Sequence, residues 1–410
     1  MDPSIQPFRI SVADSRLETL KVKLSQATFP DDVPMSNGWE FGPPLSDLKR
    51  LVSYWKDGFD WRVQESNINQ LPHFTTAISV EGFGDLKIHF VHKTSNRKDS
   101  IPLLFCHGWP GSFLEVTKIL PLLTDPEDND GPSFHVVAPS LPNFGFSDAA
   151  TKPGFGIAQY AECLHKLMLK LGYEKYVTQG GDWGYAITRI IGAQYPEHCI
   201  ASHLNYIRAD PPTIKQPLLY LQYLLPRSKT EKAGLARTEW FMKQGLGYNI
   251  EQTTRPATIG AALADSPLAL LSWIYEKLHD WTDAYPWTDN EILTWVSLYW
   301  LSTAGPAASA RIYYEAQNTV PYPRHDKRML QYNPHVKLGL SYFPKDLLVF
   351  PPCYGRTLGP VVFEKVHTEG GHFAAYEKPH LLVADLRAMF GQGGGAEDIA
   401  SRWKRTATNK

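Results

Sequence analysis

Apolar positions recur at helical spacing near the start of the chain and shift to strand spacing further on. Leu17, Leu20 and Leu24 share one helical face, with Asp14 expected to cap it. Leu48, Leu51, Val52 and Trp55 form a second face beyond a Pro/Gly-rich connector. Leu86-Lys87-Ile88-His89-Phe90-Val91 then alternates as a half-buried strand does. Ile101–Cys106 and residues 134–138 are short apolar runs, the signature of strands buried in a parallel sheet. Residues 112–123 predict a helix. Ile157, Tyr160, Ala161, Leu164, Met168 and Leu171 line another, closed by Gly172. Residues 176–178 predict a strand and 184–195 a helix. Strand alternating with helix predicts βαβ units and a parallel sheet.

From about residue 211 to 325 the alternation gives way to long helical patterns broken by Pro and Gly. Short strands return after about 335, as at 359–363, followed by a helix at 380–390. The chain therefore divides into an N-terminal extension (1–95), the first part of an α/β core (96–210), a helical insertion (211–325) and the second part of the core (326–410). The insertion is expected to form a lid over the sheet's C-terminal edge, where open parallel sheets bind ligands. Low complexity is confined to the glycine run 391–395, and the polar tail after it is expected to fray.

Composition narrows the class. Of 410 residues, 43% are hydrophobic and 20% charged, enough for a packed core, and the net charge of -1 argues against nucleic acid or an anionic membrane surface as the main partner. Cys106, Cys163, Cys199 and Cys353 form no CxxC pair and no zinc spacing, so they read as free thiols. The first residues lack the basic and apolar blocks of a signal peptide, and no uncharged apolar run reaches about 18 residues. A soluble, cytoplasmic protein without a membrane anchor is the expectation. Aromatic residues, 12% of the chain, crowd between 220 and 320, which fits both a packed helical layer and a pocket for an apolar ligand.

The segment Tyr176-Val177-Thr178-Gln179-Gly180-Gly181-Asp182-Trp183-Gly184 carries most of the chemistry. Small residues stand two before and two after Asp182, between a strand and a helix, which is the nucleophile-elbow pattern. A carboxylate at its centre attacks an sp³ carbon bearing a leaving group and becomes an ester; water then attacks the ester carbonyl. The same Asp could equally cap a glycine-rich turn. His107-Gly108-Trp109-Pro110-Gly111-Ser112 follows an early strand, where such loops supply an oxyanion donor. Trp109 N–H is the expected first donor and Trp183 N–H the second. Trp109-Pro110 is a candidate cis bond.

Late in the chain, Gly370-Gly371-His372-Phe373 offers His372 as the base for water, with His367 as a decoy nearer the strand end. Phe343-Pro344-Lys345-Asp346-Leu347 offers Asp346 to orient it, ahead of Glu364 and Glu369. His107, Pro110, Phe373 and Tyr314 are expected to border the substrate. No ligand cluster for a metal or organic cofactor is visible, and none is expected.

From about Phe8 to residue 390 the chain resembles the microsomal-type epoxide hydrolases, its soluble fungal members most of all. The motifs HGWPGS, GGDWG, FPKDL and GGHFAA carry the resemblance, together with Phe8-Arg9-Ile10, Tyr54-Trp55, Phe59-Asp60-Trp61-Arg62 and the run from Asn67 to Thr75. The resemblance implies an α/β-hydrolase fold, a small apolar epoxide and water as the reactants, and a homodimer as the assembly to test. It also implies two lid tyrosines that donate to the epoxide oxygen. Tyr248 matches the first and Tyr313 the second, with Tyr314 beside it as a rival, since helix neighbours point about 100° apart. A haloalkane dehalogenase, a cyclase in which a substrate hydroxyl replaces water, and a binding protein with a retired site are the competing readings.

Overall fold

The computed structural model describes residues 2–126, 131–319 and 326–408, and a nine-stranded sheet organises them. In chain order the strands are β1 (Gln6–Pro7), β2 (His73–Val80), β3 (Gly84–Lys93), β4 (Ile101–Cys106), β5 (Phe134–Pro139), β6 (Tyr176–Gly180), β7 (Cys199–Leu204), β8 (Lys337–Tyr342) and β9 (Val361–Val366). Their spatial order is β1-β2-β3-β5-β4-β6-β7-β8-β9. The joins from β1 to β5 are antiparallel, and every join from β5 to β9 is parallel. The expected architecture, a mostly parallel sheet flanked by helices, is thus observed.

The central parallel strands form because their residues can be hidden on both faces. All six residues of β4 and all five of β6 are buried. The helix Trp183–Gln194 packs on β4, β6 and β7, and Pro379–Phe390 packs on β8 and β9. The chain goes from β4 to β5 on one side and on to β6 on the other, so the order reverses at β4. A crevice opens at such a reversal, beyond the strands' C-terminal ends. Cys106 pairs with Gly180 across that edge, which sets the loops after β4 and β6 side by side. Helices from Pro217–Leu224 to Arg311–Asn318 are inserted between β7 and β8. Among the described residues no single helix is long and apolar enough to cross a membrane.

Three local expectations fail. Residues 112–123 are not one helix but a 3-10 turn, Phe113–Val116, and a short helix, Leu120–Thr124. Pro121 explains the break, because its ring lacks an N–H and clashes with the preceding turn. Asp14 does not cap the first helix; it lies in the first turn, with Ala13 at the cap, and pairs with Arg62. Among the described residues the segment after 395 does not fray, since Glu397–Thr408 is helical and buries Ile399 and Ala400; residues 409–410 lie outside the described residues.

The candidate active site

The turn after β6 places Asp182 at the start of the helix Trp183–Gln194 with φ 49° and ψ -123°. Few side chains tolerate that backbone, and such strain concentrates at functional turns. Two glycines permit it by close approach. A Cβ on Gly180 would stand 2.6 Å from the Gly184 carbonyl oxygen, and one on Gly184 would collide with the carbonyl oxygen of Cys106. The Asp182 side chain does not cap its helix. Its Oδ1 instead accepts the backbone N–H of Trp109 at 2.8 Å. The Trp109–Pro110 bond is cis. The N–H of Trp183 lies in the helix's first turn, where no helix carbonyl reaches it.

On the other side of Asp182 stands His372, whose Nε2 is 3.5 Å from Oδ2. Its Nδ1 donates to Asp346 Oδ1 at 2.6 Å, and that oxygen also accepts Leu347 N–H at 2.7 Å. Both side chains are almost wholly buried. The loops bearing them are joined by Lys345 N–H donating to Gly370 O at 3.0 Å. His372 N–H donates to the Trp281 carbonyl at 2.7 Å, and Glu377 accepts Gly371 N–H at 2.9 Å. Burial opposes protonation of His372, but the charges of Asp346 and Asp182 outweigh it and push the imidazole up to about 10.

The insertion brings both expected tyrosines above Asp182. Tyr248 and Tyr313 are buried, meet edge to face at 5.9 Å and line one cavity with Asp182 and Trp183. Burial first, with the Asp182 charge contributing, raises both phenols well above their ordinary value. The Tyr313 hydroxyl lies near Tyr248 and Trp183 yet makes no hydrogen bond of good geometry among the described residues. The cavity measures about 1040 Å³ and is walled by apolar groups such as Phe241, Met242, Leu246, Leu348 and Phe350.

Four residues expected to border the substrate, like His372 and Trp109 themselves, are absent from the cavity's wall. Tyr314 points outward at 41% exposure, as the helical offset from Tyr313 requires. His107 is buried, with Nδ1 at 2.9 Å from the Gly108 carbonyl and Nε2 accepting Leu141 N–H. Burial lowers that imidazole to about 4. Pro110 is held from above, its carbonyl accepting Trp295 Nε1–H at 2.5 Å. Phe373 packs edge-on against His372 at 5.3 Å. His367 bonds Asp385 at 2.6 Å instead of the nucleophile, and Glu364 and Glu369 pair with Arg356 and Lys378.

Sequence reasoning missed three neighbours of this group. Glu115 is pushed up to about 8 by burial and the Asp182 charge, against the pull of His372. The Tyr206 ring stands edge-on to His372 at 5.8 Å, and Trp281 touches both His372 and Tyr248 at 5.1 Å. Glu115 sits three residues beyond HGWPGS, which was a usable signal. Tyr206 and Trp281 had none beyond being aromatic.

Comparison with known proteins fits this geometry. Residues 5–116 match the family described as "Epoxide hydrolase N terminus", and residues 101–228 match "alpha/beta hydrolase fold". Epoxide hydrolase 1 of Sus scrofa is 33% identical over 422 residues, covering 95% of this chain and 89% of that protein. The structure of Aspergillus niger epoxide hydrolase superposes with a TM-score of 0.80 at 38% identity, covering 94% of this chain and 95% of that one. The juvenile hormone epoxide hydrolase of Bombyx mori superposes with a TM-score of 0.83 at 30% identity, covering 93% of both.

Proposed function

The chain belongs to the epoxide hydrolases, and on that premise we propose that it opens an apolar epoxide through an ester on Asp182, which His372-activated water then hydrolyses to a vicinal diol. One observation carries the proposal: a carboxylate held at a strained elbow, with a backbone donor on one oxygen and a buried imidazole facing the other.

Ring opening begins with Asp182 Oδ2, the oxygen not held by Trp109, attacking an epoxide carbon. The C–O bond breaks, and Tyr248 and Tyr313 donate to the departing oxygen. Two donors in a largely apolar cavity suit this task, since their hydrogen bonds strengthen as charge grows on that oxygen. The tyrosines are neutral acids at ordinary pH because burial disfavours phenolate.

Ester formation then changes the electrostatics. Asp182 loses its charge, so His372 loses one of the two carboxylates that hold its proton. Its basicity falls toward the ordinary imidazole range, so it releases its resting proton to solvent and, now neutral, can accept one from water. Asp346 remains to orient the ring and to stabilise the imidazolium that forms. Water attacks the Asp182 carbonyl carbon, and Trp109 and Trp183 N–H groups hold the resulting oxyanion. Collapse of the tetrahedral centre breaks the Cγ–Oδ2 bond, the imidazolium gives its proton to Oδ2, and the diol leaves. The second proton of the water, shed by the re-formed Asp182 carboxyl, replaces the one ring opening took from the tyrosine.

The cavity wall favours a bulky apolar epoxide over a charged one. His372→Gln tests the scheme. Mixed with styrene oxide, this variant should gain the mass of one epoxide at Asp182 and release little diol. An unmodified chain with normal ring opening would refute the scheme.

A further inference from the structure

Lys277 belongs to the inserted helix Pro267–Asp280, yet its side chain is only 3% exposed. Lysine is almost never buried without a partner. Its partner is Glu276, one third exposed, and Asp280 adds to the local negative field. The ammonium stands over the Tyr248 ring, 5.1 Å from the centroid, and over the Trp273 ring at 5.3 Å. Trp109 stacks on the same tyrosine at 5.0 Å, its plane within 10°. Tyr248 therefore contacts both the loop that binds the nucleophile and a buried cation.

We propose that Lys277 is a positioning residue that acts through the Tyr248 ring, lowering the cost of moving negative charge onto that phenol as the epoxide opens. This rests on the reading of Tyr248 as a proton donor. When the C–O bond breaks, the Tyr248 proton passes to the departing oxygen, and the charge left behind spreads into the ring. A cation over the face of an aromatic ring is attracted to it, more strongly as the ring gains charge and where water is excluded. Burial and Asp182 both oppose that charge, so a counterweight has something to offset. Glu276 faces solvent in part, so its opposing field is screened more than the field of Lys277 on the enclosed ring. A purely packing role would be filled by methionine, which matches the stem without the charge.

Stopped-flow single turnovers of the full-length chain with styrene oxide separate ring opening from ester hydrolysis. Lys277→Met should slow ring opening about tenfold and leave hydrolysis unchanged, while Lys277→Arg should retain most of the rate. Placing 3-fluorotyrosine, a stronger acid, at position 248 should restore much of the rate lost in Lys277→Met. Equal slowing of both steps, or no rescue by the fluorinated residue, would overturn the proposal. Lys277→Gln gives the same expectation should Met impair folding. Tyr248→Phe, measured alongside, separates two failures. If it leaves ring opening intact, the reading of Tyr248 fails; if it slows ring opening while Lys277→Met does not, only the role of Lys277 fails.

Discussion

The backbone N–H of Trp109 meets Oδ1 of Asp182 at 2.8 Å although 73 residues separate them. The pairing of Cys106 with Gly180 makes this contact, because it aligns the ends of β4 and β6 and hence the loops that follow them. One oxygen of the proposed nucleophile is thereby committed to a donor before any substrate arrives. The same donor is then in place when that oxygen becomes the ester carbonyl, so no group must reorient for the second step.

The two tyrosines should share the work of ring opening. Each Tyr→Phe substitution at 248 or 313 removes one hydrogen bond to a charged oxygen, a loss of roughly 1.5–3 kcal/mol or about 10- to 150-fold in ring-opening rate. The double variant should fall below either single one, with ester hydrolysis much less affected. Stopped-flow single turnovers on all three variants check this.

Asp346→Asn should leave ring opening nearly intact and slow ester hydrolysis about a thousandfold or more, because the imidazole loses both its orientation and its counter-charge. The ester should then accumulate and be visible by intact-mass spectrometry under turnover. Undiminished hydrolysis would transfer the role to another acid, and Glu115 would be the first to examine.

The elbow should not tolerate a methyl group. Gly184→Ala would drive its Cβ into the Cys106 carbonyl, a backbone atom that cannot step aside. The expected cost is about 3 kcal/mol or more, in the range for strain at a special backbone position. Thermal unfolding should show a clear drop, and activity should fall even at temperatures where the variant remains folded.

The pH dependence follows from two carboxylates flanking one imidazole. In the resting enzyme His372 is raised to about 10, so the stabilisation it contributes is fully present below the unfolded value, about 6.5. That contribution is lost as pH rises through about 10. In the ester intermediate Asp182 is neutral, so the base should titrate lower. Ester hydrolysis should rise with pH to a plateau whose midpoint lies below the resting value. Single-turnover rates give the midpoint of hydrolysis, and NMR of the His372 ring gives the resting one. Coincident midpoints would contradict the electrostatic account.

Much of this was legible in the residues. Asp182, His372 and Asp346 stand in short motifs whose glycines and neighbours announce a turn, and the structure brings all three together. β4 matched its apolar run residue for residue. β2 and β7 were not read as strands, and β8 was anticipated only within the short strands expected after about 335; in β7 and β8 polar residues satisfy one another. Ser202 bonds Thr178 at 2.9 Å and His203 bonds Ser341 at 2.9 Å, and such pairs blur the apolar pattern without exposing the strand. The borders of the cavity were harder to read for a different reason. His107, Pro110 and Phe373 lie in the right motifs, but their backbone and ring contacts are taken up in supporting the site from behind. Sequence spacing marks the loops of a site, whereas which side of each loop faces the substrate is decided by packing against the insertion.

A single turnover with styrene oxide in ¹⁸O-water, followed by mass spectrometry of the diol and of the peptide bearing Asp182, tests the central claim most directly. The ester route predicts label in the Asp182 carboxylate and an unlabelled first diol, because water attacks the enzyme's carbonyl carbon. Label in the diol with none in Asp182 would mean that water attacks the epoxide itself, and the covalent mechanism would be wrong.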